Sequence, residues 1–112
     1  MLKECQIQAE CIQWFRRHYP KYIIFCIPNE AAFKRKSYFD SLGLLNGVSD
    51  TIAVLPNTIL FIEFKTPKGQ QREEQKVFQE KVESLGFIYT IVRSLDQFKE
   101  LIYDAIGINQ TV

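Results

Sequence analysis

Two apolar segments separated by only two residues constrain the fold of this chain most. They are Asp50–Leu55 (DTIAVL) and Thr58–Lys65 (TILFIEFK), with Pro56-Asn57 between them. Both segments are rich in the β-branched and aromatic residues that favour strands. Strands joined by so short a link pair antiparallel, so the sequence predicts a β-hairpin in which the last residue of the first strand lies opposite the first residue of the second.

Apolar periodicity predicts helices and two more strands on either side of this hairpin. Residues 31–42 are consistent with either a short helix or a loop. The predicted elements are a helix at 3–19, a buried strand at Tyr22–Ile27, the hairpin, a helix at Gln70–Leu85, a strand at Phe87–Val92 and a helix at 95–106, for which Ser94 is the expected N-cap.

The order of these elements, α-β-β-β-α-β-α, predicts an α/β fold with a small mixed β-sheet flanked by helices. The third strand, the following helix and the fourth strand form a crossover unit. These two strands should therefore be parallel, with a right-handed connection.

Length and charge restrict the function less than the strand pattern does. A chain of 112 residues has the usual size of one domain, so we expect a single domain over residues 1–112. The 14 Lys and Arg residues nearly balance the 13 Asp and Glu residues, so bulk charge neither predicts nor forbids a polyanionic partner. The three cysteines are an odd number without paired spacing, and we expect reduced thiols rather than zinc ligands.

Targeting signals are not apparent in the sequence. It has no basic-then-apolar leader, and its apolar runs fall far short of the ~20 residues that a membrane span needs. We therefore expect no signal peptide, no membrane association and a cytoplasmic location.

The second strand of the hairpin ends on an acidic and a basic residue. Side chains alternate between the faces of a strand, so Glu63 and Lys65 share the face opposite to Ile62 and Phe64, which point to the core. The hairpin register places Asp50 directly opposite Glu63, at a Cβ separation of about 4.5–5.5 Å. Two carboxylates that close repel each other unless a cation lies between them. Because Mg²⁺ prefers oxygen ligands and is usually held by one or two carboxylates, the pattern predicts a divalent-metal site beside a lysine.

The helix after the hairpin has an apolar stripe that becomes polar at its N-terminal end. Phe78, Val82 and Leu85 define the stripe, and Gln71 and Gln75 continue it. This end follows the hairpin after a four-residue loop, so a glutamine amide there could orient a water or a phosphate oxygen.

The first helix repeats this pattern. Glu4 and Gln8 lie on its apolar face at the N-terminal end, whereas Glu10 projects from the back. The sequence leaves open whether Glu4 or Glu10 is a functional acid, and Glu4 would also suit the helix dipole as a first-turn acid.

Four segments of the chain match the motifs of a known family. They are Glu4-x-x-Ile7-Gln8, Ile27-Pro28-Asn29, Gly47-Val48-Ser49-Asp50 and Ile62-Glu63-Phe64-Lys65-Thr66-Pro67-Lys68-Gly69, and Gln75 and Gly86 follow at the expected places. In these segments the chain resembles the virus-type replication-repair nuclease (VRR-NUC) domains of the PD-(D/E)XK nuclease superfamily, over essentially its whole length. It departs from the family at Ser49, where many members have proline, and at Glu30, where a small residue is frequent.

The resemblance implies a restriction-endonuclease-like core that cleaves DNA phosphodiester bonds with Mg²⁺ or Mn²⁺ and without a small-molecule cofactor. Asp50 and Glu63 would be the metal ligands, together with the main-chain carbonyl of Phe64. Lys65 would position or deprotonate the attacking water and stabilise the pentavalent phosphate. These roles agree with metal-assisted hydrolysis.

The resemblance also implies two accessory residues and a class of substrate. Gln75 would be the accessory glutamine, and Glu4 would be the first-helix acid that reaches the metal through water. Phage-encoded members of the family are dimers that act on branched DNA, so we expect a homodimer acting on four-way junctions or flaps in replication, repair or recombination. The basic residues expected to contact phosphates are Lys34, Arg35, Lys36, Lys68 and Arg72, with ordinary solvated charge as the alternative for each.

Other interpretations of the same residues stay open. Asp50, Glu63 and Lys65 could form a surface ion pair on an edge strand. The fold could also serve a non-catalytic module that binds DNA junctions, or a dimerisation domain that binds no nucleic acid.

Overall fold

The structure, a computed structural model, describes residues 2–28, 41–43 and 45–110. Its elements in chain order are α1 (Glu4–His18), β1 (Ile23–Cys26), β2 (Thr51–Leu55), β3 (Thr58–Phe64), α2 (Glu73–Ser84), β4 (Ile88–Val92) and α3 (Leu95–Gln110). The predicted order and the α/β class are confirmed. The segment 31–42, predicted as a short helix or a loop, lies almost entirely outside the described residues. In the described part of the chain, no helix is long and apolar enough to cross a bilayer.

The four strands form one mixed sheet in the order β1-β2-β3-β4. Strand β2 is antiparallel to β1 and β3, and β3 is parallel to β4, as the crossover pattern predicts. Leu55 pairs with Thr58 and Thr51 pairs with Ile62, which confirms the predicted register. The two-residue turn is possible because Asn57 adopts a φ of 60°, a left-handed conformation that asparagine tolerates.

One face of the sheet carries the main core. The inward side chains of β3, Leu60, Ile62 and Phe64, are fully buried there. Helix α1 contributes residues at helical spacing, and α3 closes the core beside it. The helical core residues are Ile7, Cys11 and Phe15 of α1 and Phe98, Ile102, Ala105 and Ile106 of α3. Helix α3 begins as predicted, with the Gln97 N–H donating to the Ser94 side-chain oxygen at 3.1 Å.

Helix α2 packs on the opposite face, over β3 and β4. The Phe78 ring lies 5.8 Å from the Phe61 ring and 6.1 Å from the Tyr89 ring, measured between centroids. The prediction that Leu85 belongs to the buried stripe is wrong, since its side chain is 74% exposed. Helix α2 ends at Ser84, and the chain turns away at Gly86, whose φ is +88°.

Strand β1 is less buried than its apolar sequence predicts. Only Ile24 is buried, against the core, whereas Ile23 and Phe25 are 56% and 42% exposed. Alternate side chains of β1 point away from α1, and at this edge of the sheet they lie away from β3 and β4, over which α2 packs.

Candidate metal centre at the end of strand β3

Three carboxylates meet where β3 ends. Glu4, Asp50 and Glu63 each offer one oxygen, and these three atoms lie within 4.8 Å of one another. They come from the first residue of α1, the residue before β2 and the penultimate residue of β3. Asp50 and Glu63 are thus neighbours as the hairpin register predicts, and Glu4 joins them. Glu10 is exposed and is not a member of this group.

Asp50 is held in place by the main chains of two strands. Its Oδ2 accepts a hydrogen bond from the Phe64 N–H at 2.8 Å. Its own main-chain carbonyl accepts one from the Ile27 N–H at 2.7 Å. The main chain of Phe64 therefore lies beside Asp50, and the predicted role of its carbonyl as a metal ligand stays a prediction.

Glu63 is the most deeply buried of the three acids, with 1% of its surface exposed. Its Oε2 accepts a hydrogen bond from Gln75 Nε2 at 2.9 Å and lies 3.9 Å from the Lys65 ammonium. Its Oε1 is buried and has no hydrogen-bond partner among the described residues. Burial raises the pKa of Glu63 to about 8, and Asp50 adds to this increase while Lys65 opposes it. A buried carboxylate oxygen that finds no donor in the described part of the chain, next to two other acids, fits a cation ligand.

Gln75 is buried and hydrogen-bonded at both ends of its amide, and its predicted role as the accessory glutamine stays a prediction. Its Oε1 accepts a hydrogen bond from the Arg72 N–H at 2.9 Å and so caps the start of α2. The amide nitrogen must then point the other way, where it donates to Glu63. Gln75 therefore orients a carboxylate of the acidic group. The other polar residue of the predicted stripe, Gln71, donates to Gln79 at 2.9 Å and to the Tyr89 hydroxyl at 3.2 Å.

Gly47 couples the loop before Asp50 to the start of α2. Its φ is +82°, and a Cβ at this position would overlap the main-chain carbonyl of Glu74. The loop can approach the helix only because this residue has no side chain. The contact fixes the position of Gln75, the next residue of the helix, relative to Asp50.

We expect Gly47→Ala to destabilise the protein by about 2–4 kcal/mol and to weaken any function that needs Gln75 in place. The left-handed backbone costs roughly 1 kcal/mol for alanine, and the overlap with Glu74 adds a backbone shift of about 1–3 kcal/mol. Gly43→Ala is the matched control, because Gly43 has a φ of +104° but nothing within 4 Å of its Cβ position. Chemical denaturation of both variants measures the difference, and equal stabilities would contradict this close approach.

The predicted DNA-contacting residues have different outcomes. Lys34, Arg35 and Lys36 lie outside the described residues. Lys68 is exposed in the loop that follows Lys65. Arg72 is exposed at the start of α2 and pairs with Glu74 at 3.5 Å.

The sequence gives no signal for the contacts of Arg93, the residue that follows β4. Its Nη1 donates to the main-chain carbonyls of Thr66 and Gly69 at 2.7 and 2.6 Å. These acceptors are 27 and 24 residues away along the chain and are main-chain atoms, which carry no sequence pattern.

Comparison with known proteins finds solved structures of similar fold. The chain matches no protein-family model and no curated protein. It is similar to a solved structure described as a "VRR_NUC domain protein", with a TM-score of 0.76 and 22% identity over 96% of this chain and 90% of that one. A second, described as a "VRR_NUC domain", has a TM-score of 0.67 and 21% identity over 91% of this chain and 96% of that one. The resemblance found in the sequence is therefore confirmed in the structure: the chain has the fold of the VRR_NUC domains.

Proposed function

We propose that this chain is a divalent-metal-dependent DNA endonuclease of the VRR-NUC type. The observation that carries the proposal is the meeting of Glu4, Asp50 and Glu63 within 4.8 Å, with the Lys65 ammonium 3.9 Å from Glu63. A surface ion pair would not need two further acids beside it. The nuclease-domain fold of the two similar structures supports the same conclusion.

The residues present fit a hard divalent ion, Mg²⁺ or Mn²⁺. Asp50, Glu63 and the main-chain carbonyl of Phe64 would hold it, and Glu4 would act through a water. The buried Glu63 Oε1, for which residues 2–28, 41–43 and 45–110 supply no donor, supports this assignment, since oxygen ligands are what such ions prefer. When bound, the ion would lower the pKa of a water and stabilise the charge that develops on the phosphodiester.

Lys65 and Gln75 would orient the reacting groups. The Lys65 side chain is only 8% exposed, and its ammonium lies 3.9 Å from Glu63 Oε2. We assign it the positioning or deprotonation of the attacking water and the stabilisation of the charged phosphate. Gln75, which donates to Glu63 Oε2, would hold this carboxylate in place beside the other two acids.

The proposed substrate is branched DNA, such as a four-way junction or a flap, in replication, repair or recombination. Lys68 and Arg72 follow β3 in sequence and would contact phosphates, together with Lys34, Arg35 and Lys36. We further propose a single domain that acts as a homodimer in the cytoplasm, which would place two sites on one junction. These finer assignments rest on the resemblance to the family.

A panel of end-labelled DNA forms tests the proposed activity. Single-stranded, duplex, flap and four-way junction DNA are incubated with the protein in Mg²⁺, Mn²⁺ or EDTA. We expect cutting of at least one branched form with either ion and none in EDTA. Tight junction binding without cutting under any divalent ion would favour a non-catalytic binding module, and cutting that persists in EDTA would contradict the metal-dependent mechanism.

The pair Glu4→Gln and Glu10→Gln decides which acid of α1 contributes. Both substitutions remove one negative charge from the same helix, but only Glu4 lies in the acidic group. We expect Glu4→Gln to slow cutting only roughly tenfold, because the Glu4 carboxylate would act on the ion through a water. Glu10→Gln should leave the rate unchanged. Single-turnover rates on the preferred DNA measure this, and the reverse order would assign the role to Glu10.

A further inference from the structure

Arg93, the residue after β4, forms hydrogen bonds to the loop that follows β3. The Arg93 guanidinium donates from Nη1 to the Thr66 and Gly69 carbonyls at 2.7 and 2.6 Å, and a longer contact of 3.4 Å reaches the Pro67 carbonyl. The Gly69 N–H closes the same turn by donating to the Thr66 carbonyl at 3.0 Å. Arg93 therefore ties both ends of the Thr66–Gly69 turn to the end of β4.

This turn directly follows Lys65. The Lys65 N–H donates to the Val92 carbonyl at 3.0 Å, in the last bond between β3 and β4. The main chain before Lys65 is thus held by the sheet, and the main chain after it is held by Arg93. Because Lys65 is fixed on both sides, its ammonium can keep a single direction toward Glu63, 3.9 Å away.

The guanidinium suits this task better than an ammonium would. It is a planar group whose donors have fixed directions, so one nitrogen can serve two carbonyls without freedom to rotate. An ammonium on a flexible stem could reach one of the two carbonyls but would restrict the turn less. Hydrogen bonds from charged donors are also the stronger ones.

We propose that Arg93 is a positioning residue of the nuclease, which holds the Thr66–Gly69 turn and thereby the direction of the Lys65 ammonium. The expected effect of Arg93 on the cleavage rate rests on the proposed nuclease function. The hold of Arg93 on the turn can be measured without DNA or metal.

The test compares Arg93→Met, Arg93→Lys and the control Arg17→Met, which removes a guanidinium from an exposed position at the end of α1. In Arg93→Met, we expect the Gly69 amide to exchange its hydrogen roughly ten- to hundredfold faster in the metal-free protein, since two hydrogen bonds to a charged group are lost. The single-turnover rate at saturating DNA should fall by a similar factor, with the DNA dissociation constant unchanged. Arg93→Lys should be intermediate in both, and Arg17→Met should match the native protein.

Three results would overturn the proposal. They are unchanged Gly69 exchange in Arg93→Met, an unchanged rate at saturating DNA despite faster exchange, and a loss of DNA affinity at a constant rate, which would make Arg93 a DNA contact. If Arg93→Met does not fold, Arg93→Lys decides by the same three criteria. A native protein that cuts no DNA would overturn the proposed function and with it the effect of Arg93 on the cleavage rate. The exchange measurement would still decide whether Arg93 holds the turn.

Discussion

Replacing Lys65 with methionine should slow DNA cleavage by about a hundredfold or more while the protein still binds a divalent ion. The Lys65 ammonium lies in a buried position, 3.9 Å from Glu63. Removing one such preorganised group from an active site costs about 10²–10³ in rate. Methionine keeps the apolar stem of the side chain, so the packing at the end of β3 should survive.

Asp50→Asn is the counterpart of this variant. It keeps the size of the side chain but removes the charge of an acid in the group of three. We expect it to lose both cleavage and ion binding. Single-turnover rates at saturating DNA, with Mn²⁺ binding measured in parallel, separate the two variants. Native-rate cleavage by Lys65→Met would contradict the role assigned to this residue.

Glu63→Gln should be more stable than the native protein in EDTA near pH 8, although we expect it to lose DNA cleavage. The pKa of Glu63 is raised from 4.5 to about 8 in the folded protein, first by burial and then by Asp50. Between these two values the folded protein binds one proton more than the unfolded chain. Native stability should therefore fall as the pH rises from 4.5 to 8, by up to roughly 1.4 kcal/mol per pH unit, and should level off above that range.

Urea denaturation in EDTA between pH 5 and pH 9 measures this loss of stability. Glutamine cannot ionise, so the decline assigned to residue 63 should be absent in Glu63→Gln. Glu10→Gln, at an exposed position on α1, should keep the native decline. Identical pH profiles for Glu63→Gln and the native protein would show that Glu63 is not held protonated by the fold. If the decline is found, Glu63 lowers the stability of the native protein near pH 8, as is common for residues that serve a functional site.

The approach of Asp50 to Glu63 was predictable because a two-residue turn leaves little freedom. Once Leu55 faces Thr58, every later pair follows by counting, and the polar ends of the two strands must meet. The existence of helix α1 was predictable from its apolar periodicity, but its buried face, which comprises Ile7, Cys11 and Phe15, was predictable only in part.

Long-range contacts that involve main-chain atoms were not predictable. The close approach of the Gly47 backbone to the Glu74 carbonyl depends on how the elements pack, and so do the hydrogen bonds from Arg93 to the Thr66–Gly69 turn. The hydrogen bonds of Gln75 were predictable only in part. Periodicity placed Gln75 on the buried side of α2, but the direction of its amide group is set by the hydrogen bond from the Arg72 N–H.

The burial of strands and helix ends was the least predictable feature. The apolar sequence of β1 predicts burial on both faces, but an edge strand can leave side chains such as Phe25 exposed. Leu85 fits the apolar stripe of α2 by spacing, yet the helix stops one residue earlier. Spacing alone does not reveal where a helix ends when the last residue is apolar.

The central claim is that Glu4, Asp50 and Glu63 form one cation site. Its most direct test is the thermal unfolding of the native protein at increasing concentrations of Mg²⁺ or Mn²⁺, without DNA. An ion that binds the folded state alone raises the melting temperature with its concentration. We predict a saturable increase for the native protein and none for Asp50→Asn. A native melting temperature that does not respond at millimolar concentrations of either ion, or an equal response of Asp50→Asn, would contradict the claim.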